Sequence, residues 1–291
     1  MKESTGEKWF YVFNYAFLFI LGLSCLLPLL NILAVSMSAS GAIAGGRVFI
    51  TPVDFTLFSY DRLIRGTQVL NAFKNSVLLT VFGVLLSMLF TLCAAYPLSK
   101  PYFYCNKFFT FFTVFTMLFG GGLIPTYLVV KALGLVNSYG AIWGLGLIST
   151  YNMLVMRTFF KGIPEDMEDA ARIDGCGELR LLVQIILPLC LPVIATLSLF
   201  YAVGYWNNFM GVLIYITETK KYTLSVLIQQ MIRSQSLLQE TSGLQAEDIA
   251  RFTPEGIQAA GIIVMVIPMM VLYPFLQKYF VKGVMLGSLK G

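Results

Sequence analysis

The sequence contains no histidine, and charged residues of both signs make up only 12% of its 291 positions. Without histidine no Ser–His or Cys–His pair exists for acyl transfer, and a zinc site is disfavoured. The chain also lacks a Walker A pattern, so it does not hydrolyse nucleotide by that route. The five cysteines do not have the paired spacing that would indicate a disulfide framework. They are Cys25, Cys93, Cys105, Cys176 and Cys190. We therefore predict that this chain is not an enzyme and expect no metal ion or cofactor in it.

Charge is missing from long continuous intervals of the chain. Because the sequence is 57% hydrophobic with a mean hydropathy of +0.77, it is too apolar for a soluble domain of this length. A membrane-spanning helix needs about 20 apolar residues, and six intervals are long enough. They are Trp9–Gly46, Asn75–Ser99, Phe108–Val130, Ala132–Met156, Leu181–Thr217 and Gly256–Gln277. The sequence thus predicts an all-α membrane protein with six transmembrane helices.

The first apolar interval resembles a secretory signal, because Lys2 and Lys8 precede it and "SASGAIA" resembles a cleavage site. Its apolar part, from Trp9 to Val35, is longer than the roughly 7–15 residues of a signal core. We therefore expect an uncleaved first span.

The distribution of lysine and arginine predicts the orientation. With both termini on one side of the membrane, the basic residues of that side are concentrated in short segments, whereas those of the other side are spread over two long loops. Short-loop charge orients a membrane protein, so we expect cytoplasmic termini. The predicted regions are residues 1–70 (first span and first extracellular segment), 71–281 (a core of five spans with a cytoplasmic loop 161–180 and an extracellular loop 218–255) and 282–291 (a cytoplasmic tail).

No Asp, Glu, Lys, Arg or His lies inside the six intervals. Proton-driven carriers usually keep an intramembrane ionisable group as a relay, so its absence disfavours that class. Backbone carbonyls still suffice to hold sodium, which leaves a sodium-coupled carrier open.

Two stretches within the predicted spans are irregular or polar. "FGGGLIPTY" places Gly120–Gly122 and Pro125 in the third span, where either a cavity or close packing through small residues accounts for them. "FYAVGYWNNFMG" groups aromatic rings with amides, which suits a neutral hydroxylated ligand, although Trp and Tyr also populate interfacial belts. The predicted substrate path consists of Tyr201, Tyr205, Trp206, Asn207 and Asn208.

A densely charged stretch, "KGIPEDMEDAARIDGCGELR" from Lys161 to Arg180, interrupts the apolar runs. Pro164 and the acidic residues after it suit a helix start, and Gly175 suits the left-handed residue beyond a helix end. We predict a short helix from Pro164 to Asp174. One face of this helix is apolar and made of small residues, namely Ile163, Met167, Ala170, Ala171 and Asp174. Such a face fits either a helix that docks on a partner or a solvated linker that folds back on the spans.

The segment "EDAARIDGCGELRLLVQIILP" resembles the EAA loop of membrane subunits of binding-protein-dependent ABC importers. That pattern is Glu-Ala-Ala, three residues, Gly, nine residues and Ile-x-Leu-Pro, and at this spacing the chain has Asp169, Ala170, Ala171, Gly175, Ile185, Leu187 and Pro188. Asp169 replaces the usual glutamate, which keeps the charge but shortens its reach by one methylene. The stretches "MRTFFKGIPEDMEDAARIDG", "YWNNF" and "YPFLQKYFVKGVMLGSLKG" are similar to carbohydrate permeases of this family, and the resemblance runs from Asn71 to Gly291.

This resemblance implies the type I permease fold and a subunit that moves oligosaccharides into the cell. It likens the charged helix to the coupling helix that docks on an ATPase, with docking residues Glu165, Met167, Asp169, Ala170, Ala171, Arg172 and Gly175. The implied partners are a second homologous permease, two cytoplasmic ATPase subunits that hold ATP and Mg, an extracellular sugar-binding protein and the lipids of a bacterial plasma membrane, but no nucleic acid. The alternatives are an ABC importer for another solute and a sodium-coupled carrier acting alone.

Overall fold

The computed structural model describes the backbone of residues 5–241 and 254–288, and the side chains of residues 6–234 and 254–274. Every long regular element in these ranges is helical, as the composition predicts. In chain order the helices are α1 (Thr5–Ser36), α2 (Ser40–Ala44), α3 (Phe58–Gly66), α4 (Val69–Ser99), α5 (Asn106–Leu118), α6 (Leu123–Ala132), α7 (Tyr139–Gly146), α8 (Thr150–Lys161), α9 (Glu165–Ile173), α10 (Glu178–Leu189), α11 (Leu191–Trp206), α12 (Phe209–Tyr215), α13 (Leu224–Thr241) and α14 (Pro254–Ser288).

Three of these helices are long and apolar enough to cross a membrane singly. They are α1 over Gly6–Ser36, α4 over Val69–Ser99 and α14 over Pro254–Pro274. They coincide with the first, second and sixth predicted spans. The side chains of α1 are largely exposed, including Trp9 at 70% and Phe13 at 72%. An apolar helix of this kind is expected to face lipid or another subunit.

The third predicted span is broken rather than continuous. Helix α5 ends at Leu118, α6 begins at Leu123, and the two are bent by 115°. Gly122 makes the break possible because its φ of +83° lies in a region that only glycine adopts readily. A Cβ atom on Gly120 would meet nothing within 4 Å, and those on Gly121 and Gly122 would come no nearer than 4.0 and 3.8 Å to another atom, so no close approach among the described residues requires these glycines.

The fourth and fifth predicted spans also differ from single helices. Over Ala132–Met156 the chain forms two short helices, α7 and the first part of α8, whose N-termini are capped by Ser138 and Ser149. Helices α10 and α11 are bent by 83° at Cys190, next to Pro192 near the start of α11. With three single helices and two bent pairs as candidate spans in the described residues, the count of six spans and the cytoplasmic termini remain predictions.

The chain divides into two compact units. The first comprises Met1–Leu70 and Leu227–Ile267, and the second comprises Asn71–Val226 and Pro268–Gly291. In the first unit the hydroxyls of Ser36 and Tyr60 are hydrogen-bonded at 2.9 Å. Residues 242–253 of the predicted extracellular loop and residues 289–291 of the predicted tail lie outside the described residues.

A large buried cluster organises the second unit. It draws Leu79 from α4, Met153 and Phe160 from α8, Leu181 from α10 and Leu197 from α11, each of them almost fully buried. Because these helices share one core, they fix both the charged helix α9 and a cavity at the start of α8.

Candidate functional site

Helix α9 is the charged helix that the sequence predicts. It spans Glu165–Ile173, flanked by Pro164 and Asp174, so the predicted boundaries are confirmed. Gly175 follows with a φ of +77°, which confirms the predicted left-handed residue. The amide of Cys176 donates to the carbonyl of Ala171 at 3.0 Å and closes the helix end.

The predicted docking residues of α9 fall into two groups. Glu165, Met167, Asp169, Ala170 and Gly175 are exposed. Ala171, by contrast, is buried against the chain's own core, and Arg172 is half-buried. The exposed residues of α9 leave a surface open to a partner, whereas Ala171 and Arg172 attach the helix to its own chain.

Glu168, which we did not single out from the sequence, is the buried charged residue of α9. Its carboxylate forms an ion pair with the amine of Lys100, just after the end of α4, and both side chains are only 7% exposed. The Lys100 amine also lies 4.8 Å from the centre of the Tyr96 ring. No local pattern predicts this pair, because 68 residues separate its members.

Arg172 joins α9 to α10 on the outer side of the Lys100–Glu168 ion pair. Its guanidinium binds Glu178 at 3.1 Å and Asp169 at 3.1 Å, and it donates to the Tyr102 hydroxyl at 3.1 Å. Burial, followed by the negative charge of Glu178, raises the pKa of the Tyr102 phenol. For the Arg172 guanidinium, burial acts to lower the pKa, but the hydrogen bond and charge of Glu178 outweigh it and raise the pKa. Both groups therefore stay protonated at neutral pH, as the network requires.

A cavity of about 480 Å³ lies where α7, α8 and α11 meet. Its lining contains aromatic, amide and hydroxyl side chains, and every lining residue is uncharged. These residues are Gly146, Ser149, Tyr151, Asn152, Phe200, Tyr201, Gly204, Tyr205 and Asn208.

The hydroxyls of the two buried tyrosines hold the cavity wall together. Tyr201 is hydrogen-bonded to Thr91 of α4 at 2.7 Å and accepts from the amide of Ser149 at 2.9 Å. Tyr205 is hydrogen-bonded to Ser87 of α4 at 2.8 Å. Because these hydroxyls already have partners, the two tyrosines bring α4 to the cavity rather than offering free hydroxyls to a ligand.

Two glycines make room for the ring of Tyr205. A Cβ atom on Gly83 of α4 would lie 2.7 Å from two ring carbons, and one on Gly146 of α7 would lie 2.8 Å from the hydroxyl oxygen. Real Cβ atoms do not approach other atoms this closely. Close packing of α4 and α7 on Tyr205 therefore requires glycine at both positions.

The remaining predicted path residues are separated. Asn208 lines the cavity and caps α12, because its side-chain oxygen accepts from the amide of Gly211 at 2.9 Å. Asn207 is exposed and is not among the lining residues. Trp206 is buried, with its ring in edge contact with Phe73 at 6.0 Å.

Six of the nine cavity residues were not predicted from the sequence, among them Tyr151, Asn152 and Phe200. The ring centroids of Tyr151 and Phe200 are 6.5 Å apart. Tyr151 is 56% exposed and Phe200 is 39% exposed. Asn152 is 95% buried, since only 5% of it is exposed, and it lines the cavity. The sequence signal available for Asn152 was an amide in a chargeless, mostly apolar interval, which also contains Asn137.

Comparison with known proteins decides the family. Residues 76–286 match the model of the binding-protein-dependent transport system inner membrane component. The chain belongs to this family. It is accordingly a permease subunit of an ATP-driven importer in the bacterial cell membrane; it is not itself an enzyme, and the ATPase is a separate subunit.

Relatives of this permease cover nearly its whole length. It is 37% identical to protein LplC of Bacillus subtilis (strain 168), over 100% of this chain and 98% of that protein. It is 38% identical to the polygalacturonan/rhamnogalacturonan transport system permease protein YtcP of the same organism, over 95% and 96% of the two chains. The crystal structure of a bacterial ABC transporter involved in the import of the acidic polysaccharide alginate matches with a TM-score of 0.85 and 31% identity, over 96% and 99% of the chains.

Proposed function

We propose that this permease is one of two homologous membrane subunits of an importer for oligosaccharides. Two cytoplasmic ATPase subunits that bind ATP and Mg and an extracellular sugar-binding protein would complete the complex. The named cargoes of YtcP and of the alginate transporter support a carbohydrate. Membership in a binding-protein-dependent family argues against the alternative of a sodium-coupled carrier acting alone.

The lining of the cavity is the observation that carries the cargo assignment. The side-chain amide of Asn152 lines the cavity and supplies both a donor and an acceptor for the hydroxyls of a sugar. The exposed ring faces of Tyr151 and Phe200 suit the apolar faces of sugar rings. The volume of about 480 Å³ lies in the range of small-molecule sites, so the cavity accommodates part of a sugar chain at a time.

We predict that Asn152→Leu lowers the import rate at subsaturating cargo by about fivefold, which corresponds to the loss of one hydrogen bond. The measurement uses the complete complex in proteoliposomes, with oligomers of galacturonate and of glucose as probes. Thr158→Val, an exposed position of the same helix outside the cavity, serves as the control and should leave import unchanged. Normal import by Asn152→Leu would remove Asn152 from the path, and a wild-type complex that imports neither probe would contradict the cargo class.

Energy coupling follows from the exposed surface of α9. In the orientation that the charge distribution predicts, α9 faces the cytoplasm, where its exposed residues meet an ATPase subunit. Closure of the ATPase on ATP would displace α9 and turn the cavity outward to receive sugar from the binding protein. Hydrolysis would reverse the change. The absence of charge from the cavity lining fits a transport cycle that is driven by separate ATPase subunits rather than by an ion bound within the membrane.

Asp169 is the residue of α9 that we expect to pair with a basic residue of the ATPase. It is exposed, and its position corresponds to the acidic position of the EAA pattern. Asp169→Lys places like charges in contact and should lower ATP-driven import by about tenfold or more while the chain still inserts. Asp169→Glu restores the usual residue of the pattern and should import normally. Wild-type import and ATPase co-purification by Asp169→Lys would contradict the docking assignment.

A further inference from the structure

Helix α4 contacts both functional regions of the second unit. At its end, Lys100 is paired with Glu168 of α9, and the Tyr96 hydroxyl donates to Glu178 of α10 at 2.8 Å. These two contacts attach the last turn of α4 to the elements on both sides of Gly175. Together they connect α4 to the loop that we propose docks on the ATPase.

Nearer the middle of the same helix, a second contact joins α4 to the cavity wall. It is formed by Gly83, Ser87 and Thr91. They occupy one face of α4, because residues four apart lie one above the other. Ser87 also donates to the carbonyl of Gly146 at 3.1 Å, so one hydroxyl touches both α7 and Tyr205. Two of the residues that line the cavity, Gly146 and Tyr205, are thereby fixed to α4.

The distance between the two contacts corresponds to less than four turns of helix. Thirteen residues separate Ser87 from Lys100, or roughly 20 Å at the rise of an α-helix. Hydrogen bonds continue across Pro97 near the end, because the Lys100 amide donates to the Pro97 carbonyl at 3.1 Å. A displacement of the end of α4 is therefore carried to the cavity wall without an intervening loop.

We propose that α4 transmits the movement of α9 to the cavity, with Lys100 and Glu168 as the positioning residues that join the two helices. This inference rests on the proposed function, because α9 must receive the movement from the ATPase. The buried ion pair suits this role. Both side chains are only 7% exposed, so separating them would leave two largely buried charges unpaired, and α9 and the end of α4 are expected to move together.

The test measures the response of the cavity to ATP without any cargo. In the full complex, with the five native cysteines replaced by alanine, Gly204→Cys places a thiol in the cavity lining, where a Cβ atom meets nothing within 4 Å. The labelling rate by a soluble maleimide is measured with and without ATP. Lys100→Met should reduce the ATP-dependent ratio of rates at least about fivefold. Lys107→Met, which replaces an exposed lysine at the start of α5, should leave the ratio unchanged.

The reciprocal exchange Lys100→Glu with Glu168→Lys should recover most of the ATP response, because it restores opposite charges. Failure of the exchange, or a normal response in Lys100→Met, would overturn the proposal. If Lys100→Met does not assemble with the ATPase, the same labelling measurement is made on Tyr96→Phe, since this variant removes only the hydroxyl that binds Glu178. A normal response in Tyr96→Phe then counts against transmission by α4, and a reduced one supports it. An ATP response without import of any sugar would contradict the proposed cargo and leave this inference standing.

Discussion

Replacing Gly83 by alanine is expected to destabilise the permease and abolish most of its import. The new Cβ atom would lie 2.7 Å from two ring carbons of Tyr205, a residue only 5% exposed whose ring also lies against Gly146 and whose hydroxyl is bound to Ser87. Overpacking of this kind costs about 1–3 kcal/mol. Displacement of the ring also breaks the hydrogen bond to Ser87, which adds about 1 kcal/mol. Thermal unfolding of the detergent-solubilised complex and import in proteoliposomes measure the two effects.

Gly144→Ala is the matched control for this prediction. Gly144 lies in α7 as Gly146 does, but a Cβ atom there would meet nothing within 4 Å. Alanine is preferred over glycine inside a helix, so this variant should be at least as stable as the wild type. Gly83→Ala combined with Tyr205→Leu should be less destabilised than the sum of the single changes, because the smaller side chain relieves the overlap. Additive effects would show that Gly83 acts independently of Tyr205.

Replacing Gly175 by valine is expected to uncouple ATP hydrolysis from import. The φ of +77° at this position costs a β-branched residue about 1–2 kcal/mol or more, although no atom stands in the way of its Cβ. Relief of that strain would rotate α10 relative to α9. Both helices would remain formed, but the contacts of Glu178 with Arg172 and Tyr96 would be lost. The measurement is the number of sugar molecules imported for each ATP hydrolysed, which we expect to fall severalfold.

Serine substitutions at Gly175 and at Gly177 distinguish the effect of backbone strain on import from the effect of losing a glycine. Gly175→Ser keeps the strain, whereas Gly177 has an ordinary φ of −72° and precedes α10, where serine is a favourable cap. Gly177→Ser should therefore import normally and Gly175→Ser should not. Gly175→Asn should be milder, because asparagine tolerates the left-handed region better than other non-glycine residues. Equal import by both serine variants would show that the turn does not control coupling.

Features encoded by local pattern were predictable from the sequence. The boundaries of α9 followed from Pro164 and from the glycine after Asp174, because caps and turns depend on a few adjacent residues. The three long helices followed from the chargeless intervals. The family followed from the spacing of the EAA-like residues, and the comparisons confirm it.

Features that depend on partners distant in sequence were not predictable. Glu168 resembles its exposed acidic neighbours, and only the position of Lys100 explains why it is buried. Gly83 and Gly146 gave no sign that one tyrosine ring lies between them, because a glycine reveals space without revealing what fills it. The bend at Cys190 was likewise missed, because the apolar composition indicates one continuous span even though Pro188 and Pro192, which can bend a helix, flank the position.

The buried pair at the end of α4 has a consequence for biosynthesis. Lys100 is translated 68 residues before Glu168, an interval of about 3–14 s at ordinary elongation rates. Throughout that time four further helices are made while the lysine has yet to meet its carboxylate. A nascent chain arrested within this interval therefore carries an ammonium group without its carboxylate, whereas the finished protein pairs and buries that group, and this difference distinguishes an incomplete chain from a complete one.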